Sequence, residues 1–205
     1  YGNSSGRMRG VLFGNTTSTT NGTFDIYSGT GGISIRGNSA YSSGTDMNGL
    51  INIIAGGEIT IEGVESGATT PNFHALRVND QSTGTFKVDS SKASGTAITL
   101  IGNNTNSVDP AGIAIWGDSA RGGLVQASGG GNISIQGSAT SANYGVYLSS
   151  VDVLGTGSIQ IDGGSKLGLM GNNYVGYAAG SAVTASSGNV TLIADTMSIA
   201  ATSTI

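Results

Sequence analysis

The stretch GGGNISIQGSATSANYGVYLSSVDVLGTGSIQIDG, residues 129–163, decides how this chain is read. One phrase stands in it twice, 26 residues apart: GNISIQG at 131–137 and GSIQIDG at 157–163. Between the copies lie two more alternating clusters, YGVYLSS at 144–150 and VDVLGTG at 151–157. Alternation at period two sends one set of side chains inward and the other outward along an extended strand. Three short strands in a single loop of chain have nothing against which to bury the inward set. Stacked loops do, because each strand then pairs with its equivalent one turn away at about 4.8 Å.

The phrase recurs outside this window as GGISIRG (31–37), GEITIEG (57–63), TAITLIG (96–102) and GNVTLIA (188–194). Its paired apolar positions are Ile33 and Ile35, Ile59 and Ile61, Ile98 and Leu100, Ile133 and Ile135, Ile159 and Ile161, Val190 and Leu192. These twelve are the expected core stack. Successive phrases begin 26, 39, 35, 26 and 31 residues apart, so the strands are constant and the loops vary. A second cluster follows each phrase, as FHALRV (73–78), GIAIWG (112–117), YGVYLSS or YVGYAAG (174–180). A third follows that, as FKVDSS (86–91), GLVQASGG (123–130), VDVLGTG or AVTASSGN (182–189).

The pattern predicts an all-β protein, a right-handed parallel β-helix with three short strands per turn and six to seven turns of 26–39 residues. The rod would be about 30 Å long. Residues 1–205 read as one β-helix segment, with a less regular first turn over 1–32 where only VLFG (11–14) and FDIYSG (24–29) fit the scheme. Regular turns begin near 33, 59, 98, 133, 159 and 190. The start at Tyr1 suits a segment of something longer. Gly after each phrase is expected to turn a corner at positive φ, and Asn132 and Asn189 to serve corners through their tolerance of the left-handed region. An antiparallel sandwich or barrel is the rival arrangement, but hairpins do not require one phrase to return with the same neighbours.

Composition agrees. Gly, Ser, Thr and Asn number 36, 28, 22 and 16, half of the 205 residues, so few eight-residue windows escape a helix breaker. Hydrophobic residues still reach 37%, which argues against disorder. Charged residues are 10%, against about 25% in an ordinary domain, and the net charge is −4. Scattered Lys and Arg give no footprint for nucleic acid, and no apolar run approaches the roughly 20 residues that span a bilayer. With no cysteine there is no disulfide or thiolate metal site.

In their Gly-Asn-Ile-x-Ile-x-Gly order, polar loop, Gly-Val-x-Leu-Ser and Val-x-Val, residues 129–163 resemble the repeats of the filamentous haemagglutinin family, large adhesins exported by two-partner secretion. The likeness continues in weaker form from about Ile33 to the end of the chain. It implies a rigid β-helical shaft on the outer surface of a Gram-negative bacterium, secreted and serving attachment or aggregation. The implied partner is a receptor or glycan on a host or neighbouring cell, or further copies of the same chain. A self-assembling subunit of an extracellular filament is the alternative, suited by the uncharged, alternating TMSIAATSTI at 196–205.

The chemistry-bearing residues point away from an enzyme and from any cofactor. A polysaccharide-degrading β-helix would need paired carboxylates or a calcium cluster. The acids are spread out, with Glu58, Glu62 and Glu65 the densest group. Glu62 aligns with Arg36, Gln136 and Asp162 in other turns, the mark of a solvated outer position. His74 is the only histidine and alternation turns it outward, where a solvated surface role is expected. Trp116 and the tyrosines Tyr41, Tyr144, Tyr147, Tyr174 and Tyr177 are better recognition candidates, since exposed aromatics on a rigid rod stack on sugars. Glycosylation sequons stand at Asn3, Asn15, Asn21, Asn103, Asn132 and Asn189. No phosphate loop or calcium nonapeptide occurs. The longer loops, 62–72 with Pro71 and 102–111 with Pro110, are where a solenoid would place specific contacts.

Overall fold

A computed structural model of the chain describes residues 2–4, 9–14, 23–67, 73–79, 85–105, 111–117, 122–140, 143–171, 174–176, 188–203 and 205. They form twenty strands and no helix. The first turn holds β1 (Gly2–Ser4), β2 (Val11–Phe13) and β3 (Thr23–Ser28). The second holds β4 (Ile33–Ser39), β5 (Thr45–Met47) and β6 (Leu50–Ala55), and the third β7 (Ile59–Glu65), β8 (Leu76–Val78) and β9 (Phe86–Ser90). The fourth is β10 (Thr96–Asn104), β11 (Ile113–Trp116) and β12 (Gly123–Ala127). The fifth is β13 (Asn132–Ala139), β14 (Val146–Ser149) and β15 (Val151–Gly155). The sixth is β16 (Ile159–Asp162), β17 (Lys166–Met170) and β18 (Tyr174–Gly176), and β19 (Val190–Ile193) and β20 (Thr196–Ile199) follow.

The first strands of the turns pair into one seven-stranded sheet, the second strands into another, and the third strands into a six-stranded sheet. Every pairing among the described residues is parallel, so the molecule is a right-handed parallel β-helix with three walls. The antiparallel alternative is excluded.

Register follows the repeated phrase. Ile33, Ile59, Ile98, Ile133, Ile159 and Val190 stand one above the other, as do Ile35, Ile61, Leu100, Ile135, Ile161 and Leu192. Most of these side chains are buried, while Ile33, Val190 and Leu192 in the outer turns are only partly covered. The second wall adds Leu76, Val78, Ile113, Ile115, Val146, Leu148, Leu167 and Leu169 to the interior; the third adds Ile51, Ile53, Phe86, Val88, Val125, Val151 and Val153. Each fully buried side chain of this kind contributes about 1.5–3 kcal/mol.

The glycine after the phrase has a different job from the one expected. Gly37, Gly63, Gly102 and Gly137 are aligned inside their strands, and none has positive φ. They mark where the first wall meets the start of the second. A Cβ on Gly63 would lie 1.9 Å from the Ala75 carbonyl oxygen, and one on Gly137 would lie 1.9 Å from that of Gly145. Close approach of backbones, not turning, demands glycine there. Asn132 likewise is ordinary strand; its Oδ1 accepts the Ser158 N–H at 2.9 Å, tying one turn to the next.

Loop length is distributed unevenly among the three corners. Up to β16, third-to-first wall connections have three to five residues, whereas first-to-second wall connections reach ten between β7 and β8 and eight between β10 and β11. The 39- and 35-residue turns also lengthen at the next corner, with seven residues before β9 and six before β12. The expected insertions over 62–72 and 102–111 are thus partly strand and only part of the extra length, and their residues 68–72 and 106–110, with Pro71 and Pro110, lie outside the described residues. In the sixth turn the second wall is Lys166–Met170, and Tyr174–Gly176 is the third, correcting the assignment of YVGYAAG to the second. Of AVTASSGN, residues 182–187 lie outside the described residues.

Candidate functional site

The outer face of the second wall carries the most organised chemistry of the molecule. Its central column runs Asp46, Arg77, Ala114, Tyr147, Gly168 in successive turns. Asp46 is fully buried although it points away from the coil interior. Arg77 grips it with a fork, Nε to Oδ1 at 3.0 Å and Nη2 to Oδ2 at 2.6 Å. Arg9 from the first turn also bonds Asp46 Oδ2, and the Asn48 amide donates to Oδ1 at 2.7 Å. One carboxylate therefore ties three turns together.

Above this ion cluster the column turns aromatic. Ala114 and Gly168 are the in-register neighbours of Tyr147, and their small size leaves room for its ring. The Trp116 ring lies 5.7 Å from that of Tyr147, and Tyr144 meets Tyr147 edge-on at 5.3 Å. His74 closes the other side, 5.1 Å from Trp116 at 65°. Lys166 Nζ sits 4.2 Å over the Tyr144 ring. Gly168 is required here: a Cβ would stand 2.6 Å from Tyr144 Cε1. His74, Ala111, Trp116, Asn143, Tyr144 and Tyr147 enclose a groove of about 200 Å³.

His74 is not the solvated histidine the alternation predicts. It faces outward from the coil but is half-buried under Trp116, and its Nδ1 accepts the Ala111 N–H at 2.9 Å. Burial first and the Arg77 cation second push its pKa from 6.5 down to about 4, with Asp46 opposing. The imidazole is accordingly neutral at pH 7, with its proton on Nε2.

Of the aromatic residues singled out from the sequence, the fold gathers Trp116, Tyr144 and Tyr147. Tyr41 is exposed and does not line the groove, Tyr174 belongs to the third wall, and Tyr177 lies outside the described residues. Sequence reading missed the Asp46–Arg77 pair. Its signal was available: both residues precede by one the inward apolar positions Met47 and Val78.

The first wall's outer face differs. Arg36, Glu62, Ile101, Gln136 and Asp162 align there, with Arg36 paired to Glu62 at 3.1 Å. Glu62, Gln136 and Asp162 help line a shallow groove of about 470 Å³. Glu62 and Asp162 are three strand steps apart, about 14 Å, beyond the roughly 6.5–9.5 Å that a glycoside-cleaving pair spans. Glu58 pairs with Lys92 at 3.2 Å. Glu65 points the other way, into the corner of the coil, where its Oε1 accepts the Gly67 N–H at 3.0 Å. The densest acidic group in the sequence is thereby divided between two faces. Among the described residues no group of three His, Cys, Asp or Glu side chains could hold a metal, and no helix is long and apolar enough to cross a membrane.

The sequons are placed on the outside where they are described. Asn132 and Asn189 are exposed, and Asn103 Oδ1 accepts the Ser138 hydroxyl at 3.0 Å. Asn3 is on β1 without a described side chain, and Asn15 and Asn21 lie outside the described residues.

The architecture places the chain among the parallel β-helix solenoids. Comparison with family models, curated proteins and solved structures finds no match to this chain.

Proposed function

We propose that this chain is a structural and adhesive segment of a secreted bacterial surface protein, a rigid shaft of the filamentous haemagglutinin-like kind that serves attachment or aggregation. The observation that carries the reading is the uninterrupted interior ladder. Aligned Ile, Leu and Val columns run through successive turns while loop length varies only outside them. Such a rod resists bending because every turn is hydrogen-bonded to its neighbours along three walls. The repeat style of residues 129–163 supports the family, and the lack of cysteine suits export through an oxidising compartment.

A self-assembling filament subunit is the second reading. Met197 and Ile199 continue the inward columns of the second wall yet are 44% and 42% exposed, a surface that a further turn of β-helix would cover. Negative-stain electron microscopy of native material from cells or culture supernatant tests both. Thin single rods tethered to an outer membrane support the shaft. Long uniform fibres with this chain repeating along them support the filament, and compact isolated particles refute both.

A further inference from the structure

We propose that the groove between His74, Trp116, Tyr144 and Tyr147 binds one neutral hexopyranose ring of a glycan. This names a ligand for the adhesive part of the proposed function and rests on that reading; the shaft is tested by microscopy, so failure of the one is distinguishable from failure of the other.

Size sets the first limit. A cavity of about 150 Å³ takes a benzene ring, so a groove of about 200 Å³ holds one substituted six-membered ring and not an extended chain. The remainder of a glycan would leave through the open side. The walls set the second limit. A pyranose has faces of C–H groups and an edge of hydroxyls. Its C–H hydrogens are weakly positive and prefer the negative face of an aromatic ring. Trp116, Tyr144 and Tyr147 supply three such rings, mutually tilted by 46° and 69°, so the site is a cleft with aromatic sides. The indole N–H, the phenol hydroxyls and His74 Nε2–H add the few placed polar groups that sugar hydroxyls require.

Charge sets the third limit. Among the described residues no carboxylate lines the groove. His74 is neutral, and the Lys166 ammonium is already seated on the Tyr144 face. Among the described residues a cationic ligand finds no counter-charge there, and an anionic one finds Lys166 without a guanidinium fork, since the Arg77 fork is engaged on Asp46. A neutral sugar is the ligand that this lining fits. The cleft is also preorganised. Its rings are held by strand register, by the Ala111 N–H to His74 bond and by the glycine beneath Tyr144, so little ordering remains to be done on binding.

Trp116 is the only tryptophan in the chain, so its fluorescence reports on the groove alone. The purified chain is titrated with lactose, maltotriose, cellotriose and tri-N-acetylchitotriose, and with a sulfated heparin disaccharide as the anionic comparison. At least one neutral saccharide should shift Trp116 emission saturably, with Kd near about 1 mM. The same sugar should show saturation transfer from the protein to the C–H protons of one ring. Tyr147→Ala should weaken binding about tenfold or more, with β-sheet circular dichroism retained. Gln136→Ala on the first wall should leave Kd unchanged. The proposal is overturned if no neutral sugar gives either signal at about 10 mM, or if only the heparin disaccharide binds. It is equally overturned if Tyr147→Ala and wild type bind the sugar alike. Should Tyr147→Ala fail to fold, saturation transfer decides: ring C–H protons of a single residue carry the proposal, and evenly spread or absent transfer rejects it.

Discussion

The outer faces of the first and second walls share the same backbone geometry, and they are chemically opposite. On the first wall the outward column is Arg36, Glu62, Ile101, Gln136 and Asp162, polar at all but Ile101 and buried at none. On the second it is Asp46, Arg77, Ala114 and Tyr147, of which the first three are buried. Alternation decides only which side chains enter the coil. Whether the other set meets water depends on what the neighbouring corners place over it. The second wall has the long connections at both of its ends, and its outer face carries the ion cluster and the aromatic groove.

The largest effect should come from the inner face, which both walls share. Ile133 stacks between Ile98 and Ile159. Ile133→Asp would bury an unpaired carboxylate, costing several kcal/mol and unfolding the coil locally. On the same strand, Gln136→Asp points outward and should change stability by no more than about 0.5 kcal/mol. Thermal unfolding followed by circular dichroism compares them. Equal midpoints for the two variants would reject the register.

The next effect separates the outer faces. Asp46→Ala would leave the buried Arg77 without its fork partner and should cost about 3–5 kcal/mol. Arg36→Ala removes an ion pair whose arginine is 51% exposed and should cost no more than about 1 kcal/mol. Urea denaturation distinguishes these values, and similar losses would mean that the second wall's outer face is hydrated after all. At the corner between the walls, Gly63→Ala drives a Cβ into the Ala75 carbonyl and should cost about 1–3 kcal/mol. Gly29→Ala meets nothing within 4 Å and should be neutral or slightly stabilising.

These contrasts explain what was legible in the sequence. The Ile-x-Ile columns were, because β-branched pairs at period two have one plausible use when the phrase keeps returning. The strand Lys166–Met170 was not: Gly168 interrupts KLGLM, and only three residues separate it from β16 where earlier turns have five or more. The strands Thr45–Met47 and Leu50–Ala55 were also unread, the first short and polar, the second an almost continuous apolar run without clear alternation. The aromatic residues could be named but not assembled. Extending strand register by two residues stacks His74, Ala111 and Tyr144 in consecutive turns, as the Ala75-to-Ala111 and Gly112-to-Tyr144 backbone bonds show. That alignment crosses loops of unequal length, so sequence spacing alone conceals it.

The last effect reads the second wall most directly. His74 has a folded pKa of about 4 against 6.5 for an exposed imidazole. Above pH 6.5 both folded and unfolded chains hold it neutral, and its contribution to stability is complete. Between pH 6.5 and about 4 the unfolded chain takes up the proton and the folded chain does not, so stability falls with pH. Below about 4 both states are protonated and the loss levels off. Carboxylates add their own dependence toward the acid end, so the informative quantity is the difference between wild type and His74→Gln. That difference should develop between pH 6.5 and 4 in urea midpoints. Trp116, 5.1 Å away, supplies an independent reading, because a charged imidazolium beside an indole alters its emission. An inflection near pH 4 fits a half-buried imidazole held by Ala111 and Trp116. An inflection near 6.5 would mean that His74 is solvated, and the contrast between the two outer walls would lose its clearest member.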